Sequence, residues 1–240
     1  MKRRFTGLTD TGIQRSVNQD DYHIDPEGRF FIVADGMGGH AGGQEASRIA
    51  TQVIQNYLEE HWDAIKESQV LLEKAVIEAN KSIMTDQVEH PQRSDMGTTV
   101  VVLMFHQKGI WYTHVGDSRL YRLRDQTLEQ MSEDQTWVAR ALKMGDLTEE
   151  EARMHPWRHV LSQCLGRKDL YGVEVKSLDL QGGDRVLMCS DGLTEEVENR
   201  AIRDLLLQHD NCEEAAEALV EEAKKNGGSD NITVTIIAQD

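Results

Sequence analysis

The sequence predicts an α+β fold, built of antiparallel strand pairs and paired helices, and a few features of the 240-residue chain carry that prediction. Short apolar runs between Thr98 and Leu128 follow one another across turns of a few residues, the spacing of hairpins. Two helical patterns come in succession after the glycine-rich loop that begins at Gly36, with no strand between them. An apolar strand-like run at 232–238 then closes the chain after a further helix. A doubly wound parallel sheet would alternate strand and helix throughout, and this chain does not.

Taken in order, the apolar run at 30–34 is a strand that ends in Asp35-Gly36. Ala46, Ile49, Ala50, Val53, Ile54, Tyr57 and Leu58 recur at helical spacing and predict an amphipathic helix reaching about Trp62. Leu72, Ala75, Val76, Ala79 and Ile83 mark one face of a second helix, and the polar stretch 89–95 reads as a surface loop. Strands follow at 98–105, 110–115, 120–123 and near Leu128, with turns at Gln107-Lys108-Gly109 and Arg124-Asp125-Gln126. Residues 134–170 differ in being rich in Trp, His, Arg and Met. They hold helical pieces at 136–143 and 148–154, capping-box spacing from Thr148 to Glu151, and a break at Pro156. This segment reads as an inserted, mobile flap. Strands resume at 173–178 and 185–189, and Ala215, Ala216, Leu219, Val220 and Ala223 mark the last helix.

The length suits one domain over residues 1–240, with 134–170 as its flap. Lys+Arg 26 against Asp+Glu 42 gives a formal charge of −16, which argues against nucleic acid or an anionic membrane as partner. Cys164, Cys189 and Cys212 lie far apart without CxxC spacing, so neither a disulfide framework nor a zinc knuckle is indicated, and a reducing cytoplasm fits. No apolar run approaches the length of a membrane span, so a soluble protein is expected.

Four aspartates sit where apolar runs give way to glycine or short polar turns: Asp35 in FFIVADGMGGH, Asp117 in WYTHVGDSR, Asp191 in RVLMCSDGL and Asp230 in GGSDNITVTII. Carboxylates gathered from strand ends form an oxygen cage for hard divalent cations. A rival reading takes residues 36–41 as the GxGxxA dinucleotide fingerprint. Asp35 beside a pyrophosphate, and a second helix where a second strand should stand, oppose it. For a single Asp-Gly pair, a tight turn is also a sufficient explanation.

The motif series resembles that of the metal-dependent Ser/Thr protein phosphatases of type 2C, in their bacterial branch. It runs through Arg15-Ser16-Val17-Asn18-Gln19-Asp20, Asp35-Gly36-Met37-Gly38-Gly39-His40, Met96-Gly97-Thr98-Thr99, Gly116-Asp117-Ser118-Arg119, Ser190-Asp191-Gly192 and Asp230-Asn231-Ile232-Thr233. By Met96-Gly97-Thr98-Thr99 and the stretch His155-Pro156-Trp157-Arg158-His159-Val160-Leu161-Ser162-Gln163-Cys164-Leu165-Gly166, the chain is most similar to cyanobacterial members associated with the phosphorylated PII signalling protein.

That resemblance implies a four-layer sandwich of two antiparallel sheets flanked by helix pairs. It also implies hydrolysis of phosphoserine or phosphothreonine on a signalling protein by direct attack of a water bridging two cations, Mg²⁺ or Mn²⁺. Asp35 would bridge both ions, Asp191 and Asp230 complete the first, and the Gly36 carbonyl bind the second. Asp20 would hold waters of the second ion. Asp117 with Asp191 would bind a third ion. Arg15 would grip the phosphate through its fork, and His40 would give a proton to the leaving oxygen. The flap at 134–170, with Trp137, Met144, Met154, Trp157 and Arg158, would contact the substrate, and a monomer is expected.

Plainer readings stand beside these: a solvated Asp20 opening a strand, Asp117 paired locally with Arg119, Arg15 and His40 as surface residues, and the flap side chains as a small local core. A phosphoprotein-binding module that has lost its chemistry is the alternative function. Gln135 and Gln19 depart from the family pattern, which often has His and Glu there. The Gln135 departure bears on the third-ion environment and on substrate gating.

Overall fold

The computed structural model describes residues 3–39, 42–107 and 109–240. The chain begins with β1 (Arg3–Asp10), β2 (Asp20–Ile24) and β3 (Phe30–Met37), followed by α1 (Gly42–His61) and α2 (Ser68–Glu89). Next come β4 (Gly97–Thr98), β5 (Val100–His106), β6 (Gly109–Val115), β7 (Arg119–Arg124) and β8 (Thr127–Gln130). Helices α3 (Trp137–Met144) and α4 (Glu149–Met154) precede β9 (Val175–Ser177), β10 (Arg185–Cys189), α5 (Asp191–Thr194), α6 (Asn199–Gln208), α7 (Cys212–Asn226) and β11 (Ile232–Gln239). One sheet has the order β1-β11-β10-β7-β8, and the other β2-β3-β5-β6-β9 with β4 beside β3. Each ladder is antiparallel.

Side-chain alternation explains why both sheets are buried on two faces. In β3, Phe30, Ile32 and Ala34 pack with Ala46, Ile54, Leu72 and Val76 of α1 and α2, whereas Phe31 and Val33 meet Val186, Met188 and Ile237 of the other sheet. The second sheet repeats the arrangement, turning Leu187, Cys189, Val234 and Ile236 toward Ile202, Leu206, Ala216 and Leu219 of α6 and α7. Helix, sheet, sheet, helix is therefore the layer order, as the family resemblance implied. Each fully buried large apolar side chain in these layers contributes about 1.5–3 kcal/mol.

The differences from expectation have local causes. Strands β1 and β2 carry no apolar run to announce them. β1 is recruited by pairing along β11, from Arg3 opposite Gln239 to Asp10 opposite Ile232. β3 continues past Ala34 to Met37 because Asp35 pairs with Asp20 and Gly36 with Thr98. The strand expected over 98–105 is split at Thr99, whose N–H donates to the Asp35 carbonyl at 2.8 Å while its Oγ1 accepts from the Asp35 N–H at 3.1 Å. The stretch at 173–178 forms only the three-residue β9. Pro91 starts a short 3₁₀ turn within the expected loop, and α6 was not anticipated. Thr136 and Thr148 lie just outside their helices as N-caps, the latter in a complete capping box. Lys108 of the expected turn lies outside the described residues. All three cysteines are free and buried. No helix among the described residues is long and apolar enough to cross a membrane. The antiparallel surroundings of β3 remove the dinucleotide reading, which needs a parallel βαβ unit.

Candidate metal and active centre

The centre forms where both sheets end. Asp20 opens β2 directly across from Asp35 on β3, so two carboxylates face each other on one rung. Asp20 Oδ2 accepts hydrogen bonds from Ser190 Oγ and Thr233 Oγ1, each at 2.7 Å, which ties it to the other sheet. Its Oδ1 is buried with no partner. Burial pushes Asp20 up to about 7, helped by Asp191 and Asp230 and opposed by the two hydroxyls. Asp20 does begin a strand but is itself buried, so the solvated reading fails.

Asp191 begins α5 directly after β10, and Asp230 lies two residues before β11. Burial, then the charges of Asp20, Asp191, Asp117 and Asp230, hold Asp35 well above the usual carboxylate range. Burial and Asp230 likewise raise Asp191, partly offset by a hydrogen bond with Asp35, and Asp191 Oδ1 is buried without a partner. Asp117 sits in the turn between β6 and β7 and is pushed up to about 8 by burial, with Asp191 and Asp134 adding to the effect. The local Asp117–Arg119 pair is not formed. Arg119 instead forks onto Asp134, Nε to Oδ1 at 2.9 Å and Nη2 to Oδ2 at 2.6 Å.

Arg15 reaches the cluster from the loop between β1 and β2. Asn231 holds that loop, its Nδ2 donating to the carbonyls of Thr11 (2.9 Å) and Val17 (3.0 Å) and its Oδ1 accepting from the Gln19 N–H (2.8 Å). Arg15 Nη2 binds Asp230 Oδ2 at 2.6 Å, and its Nε donates to the Ser229 carbonyl at 3.3 Å; the side chain is 51% exposed. Gly36 has no room for a side chain. A Cβ there would lie 2.0 Å from the Gly43 carbonyl oxygen and 2.6 Å from that of Gln19, so the start of α1 packs directly on its backbone. His40, the expected proton donor, lies outside the described residues.

Asp117 and Asp191 also line a cleft of about 970 Å³ whose other walls include Arg158 and His159 of the flap and Glu195 beyond α5. His159, Asp191 and Glu195 bring ligand-type atoms within 4.8 Å of one another, with His159 Nδ1 paired to Glu195. Burial and the charges of Asp191 and Asp230 raise Glu195 to about 7. Sequence reasoning gave no role to Glu195 or to the hydroxyls of Ser190, Thr233 and Thr99. The available signals were the four-residue step from Asp191 to Glu195 and the hydroxyl residues inside the Asp motifs. On the flap, Val138 and Ala141 are buried, but Met144 (67%), Met154 (80%) and Trp157 (55%) are exposed, so they form surface rather than a local core. Trp137 packs edge-on against Trp157 with ring centroids 5.2 Å apart.

Clustered carboxylates, two of them with orphaned buried oxygens, fit divalent cations bound through oxygen. Burial first, and then the mutual repulsion of the carboxylates, favours their protonated form, and a bound cation would relieve the repulsion.

Comparison with known proteins gives a consistent result. The profile of the family described as protein phosphatase 2C matches residues 12–227. A serine/threonine phosphatase, stp, of Listeria monocytogenes is 32% identical over 237 residues, covering 97% of this chain and 94% of that protein. The protein phosphatase PhpP of Streptococcus pneumoniae is 34% identical over 235 residues, covering 96% of this chain and 95% of its own length. Among solved structures, the catalytic domain of the serine/threonine protein phosphatase PstP in complex with two manganese ions superimposes with a TM-score of 0.88 at 31% identity, covering 99% of both chains.

Proposed function

The chain belongs to the protein phosphatase 2C family, and from that premise we propose that it is a metal-dependent phosphatase hydrolysing phosphoserine or phosphothreonine on a signalling protein. The observation that carries this reading is the convergence of Asp20, Asp35, Asp191 and Asp230 from distant chain segments into one cluster, in which Asp20 and Asp191 each keep a buried oxygen without a partner. Asp35, Asp191, Asp230 and the Gly36 carbonyl would hold a pair of Mg²⁺ or Mn²⁺ ions, with Asp20 acting from behind them. Asp117 with Asp191 would hold a third. When bound, such ions neutralise phosphoryl charge and acidify water.

The chain's own residues do the rest. Arg15 lies half exposed on the loop that Asn231 holds; its planar fork, here on Asp230 and the Ser229 carbonyl, would match a phosphoryl group at the rim. Ser190 and Thr233 orient Asp20 through their hydroxyls. Water attacks phosphorus in line with the ester oxygen, forming one P–O bond as the other breaks, and His40 gives the departing serine or threonine oxygen its proton. No phosphoenzyme forms.

We take residues 1–240 as one catalytic domain in which the 134–170 flap selects the substrate through its exposed Trp157, Met154 and Met144. The phosphorylated PII protein is the proposed target, supported by the sequence of 155–166. The enzyme would act as a cytoplasmic monomer, a setting that three unpaired cysteines suit.

Hydrolysis of p-nitrophenyl phosphate and of a phosphoserine protein, with and without Mn²⁺, tests the proposal. Metal-dependent turnover of both is expected. Binding of the phosphoprotein without turnover in Mn²⁺ would instead support the non-catalytic module. A single turnover in ¹⁸O-water should label phosphate and leave the protein unlabelled.

A further inference from the structure

We propose that Gln135 is a positioning residue for Asp117, fixing the carboxylate assigned to the third cation and coupling it to the base of the flap; this rests on the phosphatase reading above. Gly116, immediately before Asp117, has φ +101°, and a Cβ there would lie 2.7 Å from Thr99 Cγ2, so the turn packs closely on Thr99 between β4 and β5. The Thr99 and Ser118 hydroxyls, 2.6 Å apart, close the same side. On the other side both main-chain groups of Gly116 are bound by a single residue. Its N–H donates to Gln135 Oε1 at 3.0 Å, and its carbonyl accepts from the Gln135 N–H at 3.0 Å.

Gln135 is in turn bound to the flap. Its carbonyl accepts from the Ser162 N–H at 2.8 Å, and the next residue, Thr136, bridges to Leu161 while capping α3. Its other neighbour, Asp134, holds Arg119 through the bidentate fork. The 134–136 segment therefore brackets Asp117 from Gly116 to Arg119, and it joins the flap's return at Leu161 and Ser162 to that turn. Glutamine suits the position because its amide oxygen accepts an N–H without adding charge beside Asp117 and Asp134. An aliphatic side chain of the same length would leave the Gly116 N–H without this acceptor. A neutral imidazole, the residue type of many family members, would restore it.

Mn²⁺ binding, followed by equilibrium dialysis and by the electron spin resonance of free Mn²⁺, tests this on the full chain at about pH 8, where imidazole is neutral. The wild-type protein should show a weakest binding step that Asp117→Asn removes. Gln135→Met should weaken that step about tenfold while leaving the tighter steps and the thermal midpoint in place. Gln135→His should recover it. Equal Mn²⁺ binding by Gln135→Met and wild type would overturn the inference, as would a loss spread over all steps together with a lowered midpoint. A wild-type protein without an Asp117-dependent step would overturn it too, yet leave the phosphatase reading intact. Failure of that reading shows separately, as absence of Mn²⁺-dependent p-nitrophenyl phosphate hydrolysis.

Discussion

Asp20 opens β2 and Asp25 follows its last residue, both buried, in opposite surroundings. Asp25 accepts from Arg29 Nη2 at 2.6 Å, from Arg29 Nε at 3.1 Å, and from the backbone N–H groups of Glu27 and Arg29 at 3.0 and 2.9 Å. Asp20 has two hydroxyls on one oxygen, nothing on the other, and further carboxylates around it. The second sheet repeats the Asp25 solution, with Asp184 held by Arg124 at 2.6 Å. A buried carboxylate costs stability unless charge and hydrogen bonds complete its shell. Where only the fold is served, this chain completes the shell with arginine; at the centre Arg15 reaches Asp230, but Asp20 and Asp191 each keep an oxygen without a partner, where a cation would supply the missing charge.

Two substitutions separate the two kinds of acid. Asp191→Ala removes a proposed cation ligand and should lower Mn²⁺-dependent turnover by about a thousandfold or more. The metal-free protein should unfold at the same or a higher urea concentration, because a buried like-charge contact with Asp230 is gone. Asp25→Ala should do the reverse, costing about 3 kcal/mol in urea unfolding as Arg29 loses its buried partner. Its turnover below the melting temperature should match wild type. Comparable stability losses in both variants would break the distinction.

The same contrast fixes opposite pH dependences. Burial would raise Asp25, but the hydrogen bonds and charge of Arg29 outweigh it and hold the carboxyl below its ordinary 3.8. Its stabilisation is therefore present above that value and lost as pH falls through the folded-state value. Asp20 near 7 and Asp117 near 8 are displaced upward. From about pH 4 to 8 the folded, metal-free protein holds protons that the unfolded chain has released, so stability declines as pH rises. Melting in EDTA should show a midpoint that falls across this window. Saturating Mn²⁺ should flatten or reverse the trend, since the cation replaces those protons. A flat profile in EDTA would mean that the carboxylates are compensated by the protein itself.

Much of the centre was legible in sequence because its aspartates sit at ends of apolar strands, Asp35 and Asp191 after runs of buried residues and Asp230 just before one. Burial on both faces made β3, β5, β10 and β11 readable as short, nearly continuous apolar runs. Strand β1, with an almost uniformly half-buried pattern, had no such signal, and its place depends on a partner more than 200 residues away. Helix α6 was missed because only two of its ten residues, Ile202 and Leu206, are buried, which leaves too short an apolar stripe to stand out. Position could suggest Asp117 but not its partners. That Arg119 turns to Asp134 rather than to Asp117 is decided by where the flap base returns to the sheet, and one-dimensional spacing does not contain it.

Thr233 offers the finest test of the comparison, since it alters Asp20 without touching a proposed cation ligand. Its Oγ1 donates to Asp20 Oδ2 at 2.7 Å and lies 2.7 Å from Thr9 Oγ1, so the hydroxyl joins β1, β11 and β2 at one point. Thr233→Val keeps the volume and the β-branched shape but removes one of the two side-chain donors that favour ionised Asp20. Asp20 should then hold its proton to higher pH, and Mn²⁺ affinity at about pH 7 should fall about tenfold. The loss should shrink as pH rises past the new Asp20 value, because the proton that competes with the cation is then gone. An affinity loss that persists unchanged up to about pH 9 would assign Thr233 a packing role, and would make Asp20 depend on Ser190 alone for its orientation.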